Sequence, residues 1–535
     1  MPSIFSMNLV LAIQEATMKR IQHRPIVSGL FLSLSLAAGM AGCSAAGDAA
    51  AEGGLTGGDG GAGVGQGGAQ DFGQFKKILE EGGIPGPDTI DDVGFFNEHK
   101  IELPPPDCGQ DVCIHGELGV MGNMISGSNC TLVMMGMNTP IDPATLERPP
   151  MNLVVTIDTS GSMQGENIAY VREGLARTLD DLRPEDLVSV VTFSHAAEVL
   201  LEAVPGDDPQ LAETFASLSA TGSTNLYDGL RTSYDLVTAY DDGERQNRVI
   251  FLSDGVATAG ITDADKILDL GGGFRESRIT LSTIGMGTEF DPEVMRGLAE
   301  AAYGAFYFLE DPQAVVEVFE EEIQTFLYPL AYDVTIDADI ADGYVLRGVY
   351  GTKSFEFDAS SAAIEIPLLQ IAHRETVDDM EQGRRGGGGA MLLELLPKSG
   401  TEVPPGSVGE IHLSYLDAKT NTMLDQTVKI LSPLAPGETP EEGLFTDGSV
   451  EKSFVMLNIF MGFRMAAQQA LIGDDVGAAS LLRGLRDNVA GWLAESPDAD
   501  IEDDLRYIDM FIANLEARGA GSPEDVPPPE PWPQD

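Results

Sequence analysis

Leu153-Val154-Val155-Thr156-Ile157-Asp158-Thr159-Ser160-Gly161-Ser162-Met163 is the stretch on which the reading of this chain turns. Its first five residues form a short apolar, β-branched run of the kind that fills a strand buried on both faces of a parallel sheet. Asp158 falls where that strand ends, and Gly161 lets the backbone turn tightly. Ile168, Val171, Leu175, Leu179 and Leu182 then mark one stripe of an amphipathic helix. Asp254 repeats the placement after Val249-Ile250-Phe251-Leu252, and Thr224 stands just ahead of a helical pattern at Leu226, Leu230, Tyr234 and Val237. Three loops are therefore expected at the carboxyl ends of strands, where open α/β sheets bind their ligands.

The residues these loops carry share one chemistry. Asp158, Ser160, Ser162, Thr224 and Asp254 offer three hydroxyls and two carboxylates, all hard oxygen donors. Such a set suits a small divalent cation, Mg²⁺ first, in an octahedral shell at about 2.0–2.1 Å, with Mn²⁺ or Ca²⁺ as alternatives. Ser, Thr and Asp are also common at strand ends and helix caps. The metal reading is favoured because three segments occur in order, each in a strand-to-helix setting.

These five positions resemble the metal-ion-dependent adhesion site (MIDAS) of the von Willebrand factor A (VWA) domains, written Asp-x-Ser-x-Ser with a distant Thr and a distant Asp. The resemblance covers Pro149 to Leu327. It implies that Ser160, Ser162 and Thr224 touch the metal directly, while Asp158 and Asp254 act partly through water. It also implies a ligand. Neutral hydroxyls leave much of the cation's charge uncompensated, so a partner's Asp or Glu carboxylate is expected to take the open position.

The rest of that span alternates strands and helices. Strands are expected at Leu187–Phe193, Glu198–Val204 (an edge), Ile279–Ile284 and Ala305–Leu309. Helices are expected at Pro209–Leu218, Ala264–Phe274, Pro292–Ala302 and Pro312–Phe326. The order predicts a doubly wound, mainly parallel α/β sheet, Rossmann-like in layout. Beyond Tyr328 the rhythm becomes short alternating runs without a helical stripe: Tyr332–Ile336, Tyr344–Val349, Ser354–Phe357, Ala363–Ile366, Met391–Leu395, Gly409–Tyr415 and Asp425–Ile430. These predict an antiparallel β-sandwich. Strand-like patches in Glu117–Met137 suggest that the sandwich takes strands from both sides, with the α/β unit inserted between them.

A helical region follows, with Phe454, Met456, Leu457, Phe460, Phe463, Ala467 and Leu471 on one helix, a break at Gly473-Asp474-Asp475, and helices over Val476–Glu495 and Ile501–Ala517. The apolar run at Phe454–Phe463 invites a membrane reading, but Asn458, Arg464, Gln468 and Gln469 point to a packed helical core. The expected divisions are an upstream extension and signal over 1–43, a Gly/Ala-rich tether over 44–71, and a cysteine-bearing segment with strands over 72–148. The VWA-like unit at 149–327, the sandwich at 328–432, helices at 446–520 and a Pro-rich tail at 521–535 complete them.

The amino end reads as an address. Lys19, Arg20 and Arg24 precede an apolar stretch, Ile26–Leu36, and Met40-Ala41-Gly42-Cys43 supplies small residues ending in cysteine. This resembles a bacterial lipoprotein signal, which implies lipidation at Cys43; Ser44 beside it resembles the outer-membrane sorting choice of Gram-negative bacteria. An ordinary secretory signal with Cys43 incidental is the alternative. The apolar segment is shorter than the ~20 residues a membrane span requires, so attachment to the membrane would be by the lipid anchor only. With Cys43 set aside, Cys108, Cys113 and Cys130 permit one disulfide in any of three pairings. A zinc site fits poorly, since His115 is the single histidine nearby.

Composition removes other functions. The 535 residues carry a formal charge of −54, which makes nucleic acid an unsuitable partner. Neither a His-Glu-x-x-His zinc helix nor a Gly-x-Ser-x-Gly elbow occurs, and the glycine runs at Gly271–Gly273 and Gly386–Gly389 lack the Lys-Ser or Lys-Thr of a phosphate loop. His195 follows a strand near the metal loops, yet reads most simply as a surface loop residue. No catalytic residue is assigned, and the expected activity is binding rather than catalysis. The expectation is an envelope lipoprotein for adhesion or assembly that captures a protein partner's carboxylate through a divalent cation. A metal-dependent hydrolase and a purely structural scaffold are the competing readings.

Overall fold

The computed structural model describes the backbone of 62–65 and 68–69 and residues 72–142, 149–286, 291–309, 329–372, 390–398 and 403–520. The signal sequence with Cys43, most of the Gly/Ala-rich stretch, the helix expected at Pro312–Phe326 and the Pro-rich tail lie outside the described residues. In chain order come strands β1 (Ala62–Gly65) and β2 (Gly68–Ala69), helices α1 (Gly73–Glu80) and α2 (Asp92–Glu98), and strands β3 (Cys113–Gly122) and β4 (Asn129–Thr139). The α/β unit follows as β5 (Met151–Asp158), α3 (Glu166–Thr178), β6 (Leu187–Phe193), β7 (Ala197–Pro205), α4 (Gln210–Ser217) and α5 (Leu226–Ala239). It continues through β8 (Gln246–Ser253), α6 (Ala264–Glu276), β9 (Thr280–Met286), α7 (Pro292–Ala301) and β10 (Tyr303–Leu309).

Seven strands form its sheet in the order β2-β10-β9-β8-β5-β6-β7, all pairs parallel except β6 with β7. β5 lies centrally and all eight of its residues are buried, because helices cover both faces. Met151, Leu153, Val155 and Ile157 pack towards Ile168, Val171, Leu175, Leu211 and Phe215 of α3 and α4. Val154 packs towards Leu226 and Leu230 of α5, in a core shared with Ile267, Phe274 and Leu298 of α6 and α7. Each fully buried large side chain contributes roughly 1.5–3 kcal/mol of transfer free energy, so the strand ends are held rigidly in both layers. β7 closes the sheet as the expected edge, with two register shifts against β6 and a left-handed Ala203 (φ 46°), which blunt it against further pairing.

Strands β11 (Pro329–Ile340), β12 (Tyr344–Tyr350), β13 (Phe355–Phe357), β14 (Ser361–Ala372), β15 (Met391–Pro397), β16 (Gly406–Asp417), β17 (Met423–Ser432) and β18 (Leu444–Phe445) form the second sheet system. Its order is β12-β15-β4-β1-β14-β11-β16-β17, with β3 and β18 branching from β4 and β13 from β14. The two halves pack against each other, Leu118, Val133, Met135 and Leu393 from one meeting Val334, Ile336, Ile364 and Leu413 from the other. This is the expected antiparallel sandwich, fed by β3 and β4 from before the α/β unit and by β11 to β18 from after it.

One difference from the sequence reading concerns the stretch taken as a free tether. β1 stands between the two halves of the sandwich, pairing Gly63–Gly65 with Ala372–Gln370 and Ala62–Gly63 with Thr139–Asn138. β2 adds to the α/β sheet beside Ala305 and Phe306. Side-chain composition suggested a coil, but strand pairing uses backbone groups alone, so small residues are no obstacle.

The carboxyl-terminal helices are α8 (Gly448–Leu471), α9 (Asp475–Glu495) and α10 (Ala499–Leu515). α8 is core, as its polar residues suggested: Asn458 Oδ1 accepts from Met124 N at 2.9 Å inside the packing. Unanticipated by the sequence, α1 and α2 belong to the same core, with Phe72, Phe75, Phe95 and Phe96 packed against Phe460, Phe463 and Phe511. Among the described residues, no helix is long and apolar enough to cross a membrane. Cys108 and Cys113 form a disulfide, and Cys130 is free and buried.

Candidate metal centre

β5 delivers Asp158 at its last position, fully buried. Its Oδ1 accepts from Ser160 N at 2.7 Å and its Oδ2 from Ser253 Oγ at 2.6 Å, so one carboxylate ties its own loop to the end of the neighbouring strand β8. The loop then makes a single 3₁₀ turn at Gly161–Met163, and Gly165 (φ 91°) redirects the chain into α3. Met163 is the apolar anchor of that turn and is fully buried.

The second loop is stitched to the first. Gly161 N donates to Gly222 O at 3.0 Å and Thr221 N to Thr159 O at 2.6 Å. Gly222 occupies a left-handed conformation (φ 98°) that a side chain would strain. Asn225 then caps α5 by accepting from Asp228 N, and its Nδ2 donates to His195 O at 3.1 Å. The third loop locks onto the second through the Thr224 backbone: Thr224 N donates to Thr258 Oγ1 at 2.9 Å, while Thr224 O accepts from Thr258 N and Ala259 N at 2.9 and 3.1 Å.

All five residues singled out by spacing are thus carried by three loops joined at one end of the sheet. Ser160 Oγ lies 3.0 Å from Ser162 Oγ, and Ser162 Oγ donates to Asp254 Oδ1 at 2.7 Å. A Cβ on Gly255 would stand 3.3 Å from Thr224 Oγ1 and 3.5 Å from Ser162 Oγ, so the third loop's backbone closely approaches both hydroxyls. Adjacent donors of an octahedron with metal–oxygen bonds of about 2.05 Å are separated by about 2.9 Å. The Ser160–Ser162 and Ser162–Asp254 separations of 3.0 and 2.7 Å match such edges, so the donor set fits a small divalent cation. Asp158, Ser160, Thr224 and Asp254 are buried, while Ser162 is exposed at the rim.

Burial raises the Asp158 carboxyl, its hydrogen bonds from Ser253 and Ser160 oppose that rise, and the Asp254 charge adds to it; the outcome is about 6. The groups acting on this acid are hydroxyls, an amide and a second carboxylate. Asn167, which sequence reasoning missed, donates from Nδ2 to Asp254 Oδ2 at 2.9 Å from the first turn of α3. Its only signal was an amide one helical turn beyond the serine loop. His195 contributes its carbonyl to Asn225, and its exposed ring lies 3.4 Å from Ser194 Oγ. Among the described residues, no group of three or more His, Cys, Asp or Glu side chains is placed to hold a metal. The five residues gathered here offer three hydroxyls and two carboxylates, and near the cysteines His115 Nε2 faces Asn138 Oδ1 at 2.8 Å.

Residues 152–321 match the family model described as the von Willebrand factor type A domain. The chain is 23% identical over 347 residues to an uncharacterized protein of Synechocystis sp., covering 63% of this chain and 78% of that one. It is 29% identical over 207 residues to the uncharacterized protein YfbK of Escherichia coli, covering 38% of this chain and 36% of YfbK. To inter-alpha-trypsin inhibitor heavy chain H3 of Mesocricetus auratus it is 29% identical over 210 residues, covering 36% of this chain and 23% of that protein. The chain therefore spans well under half the length of the latter two. Among solved structures, a von Willebrand factor type A protein from Catenulispora acidiphila aligns with a TM-score of 0.45 and 16% identity, covering 76% of this chain and 97% of that one. The ArnB paralog VWA2 from Sulfolobus acidocaldarius aligns at 0.41 and 18%, covering 77% and 99%. This chain contains a VWA domain, flanked by antiparallel strands and carboxyl-terminal helices.

Proposed function

We propose that this protein is a binding module for adhesion or assembly in the cell envelope, which captures an Asp or Glu of a protein partner through a divalent cation at the VWA domain. The observation that carries the reading is the convergence of Ser160, Ser162 and Asp254 oxygens at 2.7–3.0 Å, with Thr224 Oγ1 beside them, at the carboxyl ends of β5 and β8. Asp158, Ser160, Ser162, Thr224 and Asp254 would hold the ion, Mg²⁺ by the hardness of the donors, and the ion would supply a positive charge that the hydroxyls leave uncompensated. Asp158 and Asp254, the acids of the site, are taken up as holders of the ion in this reading, which makes the function binding.

The attachment we propose is a lipid on Cys43, at the outer membrane of a Gram-negative bacterium, with the chain before β1 acting as a tether. A charge of −54 argues against nucleic acid as a partner. The test is binding of the full chain to envelope proteins in Mg²⁺, in EDTA, and with Asp158→Ala. Binding should fall by at least about a hundredfold in both of the latter, as expected when a charge-assisted contact is lost. Undiminished binding in EDTA and in the variant would defeat the proposal.

A further inference from the structure

Away from the metal loops, a second polar cluster lies where three parts of the chain meet. Asp91, the cap of α2, accepts from Gly94 N at 3.0 Å and pairs with Arg296 of α7 at 3.3 Å and with Lys353 of the sandwich at 2.9 Å. Asp92 accepts from Gly351 N at 2.7 Å and also pairs with Lys353, which follows β12. Glu300, one turn beyond Arg296 on α7, shares the field of all four. Asp91 is only 3% exposed, and Glu300 Oε1 and Arg296 Nε are buried with no hydrogen-bond partner among the described residues.

Counting charge shows what is unusual. Asp91, Asp92 and Glu300 share the field of Arg296 and Lys353, so three acids meet two bases and one acid must carry a proton for the cluster to be neutral. Asp91 and Asp92 are ion-paired with the bases, which leaves Glu300, whose Oε1 is buried without a hydrogen-bond partner among the described residues, as the acid that holds it. An uncompensated buried charge is costly, whereas a neutral carboxyl is tolerated. We propose that this cluster is a proton-sensitive clasp: with Glu300 neutral it holds the VWA domain against α2 and the sandwich, and with Glu300 ionised it loosens that seating. The direction of Glu300's titration agrees, since burial and then the Asp91 charge push its carboxyl up to about 7, against the opposing pull of Lys353 and Arg296. A folded-state value above the ordinary 4.5 means the closed form binds the proton more tightly. The clasp's contribution is therefore complete below about pH 4.5 and is lost as pH rises through about 7.

Native-state hydrogen exchange of the α7 amides in the full chain, in EDTA so that bound metal does not contribute, tests this, with Glu300→Gln separating the clasp from the Asp158 titration. The local opening constant should rise on the order of tenfold between about pH 5.5 and 8, after correction for intrinsic exchange. Glu300→Gln should hold it at the low-pH value throughout. Should that variant fold poorly, Lys353→Met provides the second arm: with one cation removed, Glu300 keeps its proton longer and the rise should shift to higher pH. A wild-type opening constant independent of pH, an unchanged rise in Glu300→Gln, or an unmoved midpoint in Lys353→Met would each overturn the clasp.

Discussion

At the strand ends Asp158 and Asp254 face Ser160, Ser162, Ser253 and Asn167, whereas at the junction Asp91 and Asp92 face Arg296 and Lys353. Both pairs of acids are buried and both lie beside the same α/β sheet system. They differ in where compensating charge comes from. The junction brings its own cations on side chains from two other parts of the chain, so its acids serve to hold those parts together. At the strand ends Ser160, Ser253, Ser162 and Asn167 donate to the two acids, and hydroxyl and amide donors orient a carboxylate without neutralising it, which suits a site to a cation from outside. Carboxylate burial alone therefore does not mark a binding site in this chain; the identity of the donors around the carboxylate does.

Removing a cation should expose the contrast most strongly. Arg296→Met strips Asp91 of one partner inside the junction and is expected to cost about 3–5 kcal/mol, the range for breaking a buried pair from one side. Urea unfolding measures it. A loss below about 1 kcal/mol would mean that water or Lys353 already supplies the charge, and the two acid groups would no longer differ in kind.

Adding a cation should act only at the other group. With Mg²⁺ at a hundred times its dissociation constant, the unfolding free energy should rise by about 2.7 kcal/mol through mass action. Asp254→Asn should abolish that rise. An equal Mg²⁺ response in the variant would place the ion elsewhere on this acidic surface.

What was legible beforehand follows the same division. The strand-end group announced itself because its residues must sit at fixed places in a strand-loop-helix unit, so Asp158 to Ser162, Thr224 and Asp254 formed a local pattern, and the alternation of elements around them read directly as a doubly wound sheet. The junction left no such trace. Asp91, Arg296 and Lys353 are brought together across more than 200 residues, and each alone looks like an ordinary surface charge. The same holds for α1 and α2, which are too short to show a clear stripe and are fixed by phenylalanines from α8 and α10. β1 and β2 escaped because backbone pairing has no side-chain signature at Gly and Ala. Asn167 escaped because its role is to hold Asp254 rather than to appear in a motif.

A smaller effect tests whether internal compensation is general outside the metal loops. His99 is fully enclosed, its Nδ1 facing Phe95 O at 2.6 Å and its Nε2 facing Asp504 Oδ2 at 2.8 Å. Burial lowers its affinity for the proton, but the Asp504 charge and hydrogen bond, with Asp500 and Glu98, more than reverse this and raise it above 6.5. The pair's contribution is then complete below about pH 6.5 and fades as pH climbs through the higher folded value. Its slope is at most about 1.4 kcal/mol per pH unit, and Asp504→Asn should flatten that component in urea unfolding between pH 6 and 9. An unchanged slope would mean that the His99–Asp504 pair contributes no pH dependence and that internal compensation is not general outside the metal loops.

The smallest expected change is the most discriminating. In Asp158→Asn, the remaining carbonyl oxygen can still accept from Ser160 N, and the new amide can donate to Ser253 Oγ, whose hydroxyl is free to turn and accept. Both hydrogen bonds at the strand end survive, and the repulsion from Asp254 disappears. In EDTA the variant should therefore unfold within about 1 kcal/mol of the natural protein, since no buried charge loses a partner. In Mg²⁺ it should gain nothing where the natural protein gains stability. A multi-kcal loss in EDTA would show that the Asp158 charge itself is part of the fold's internal compensation, as Asp91 is, and would erase the distinction between an acid that closes a structure and one held ready for an ion.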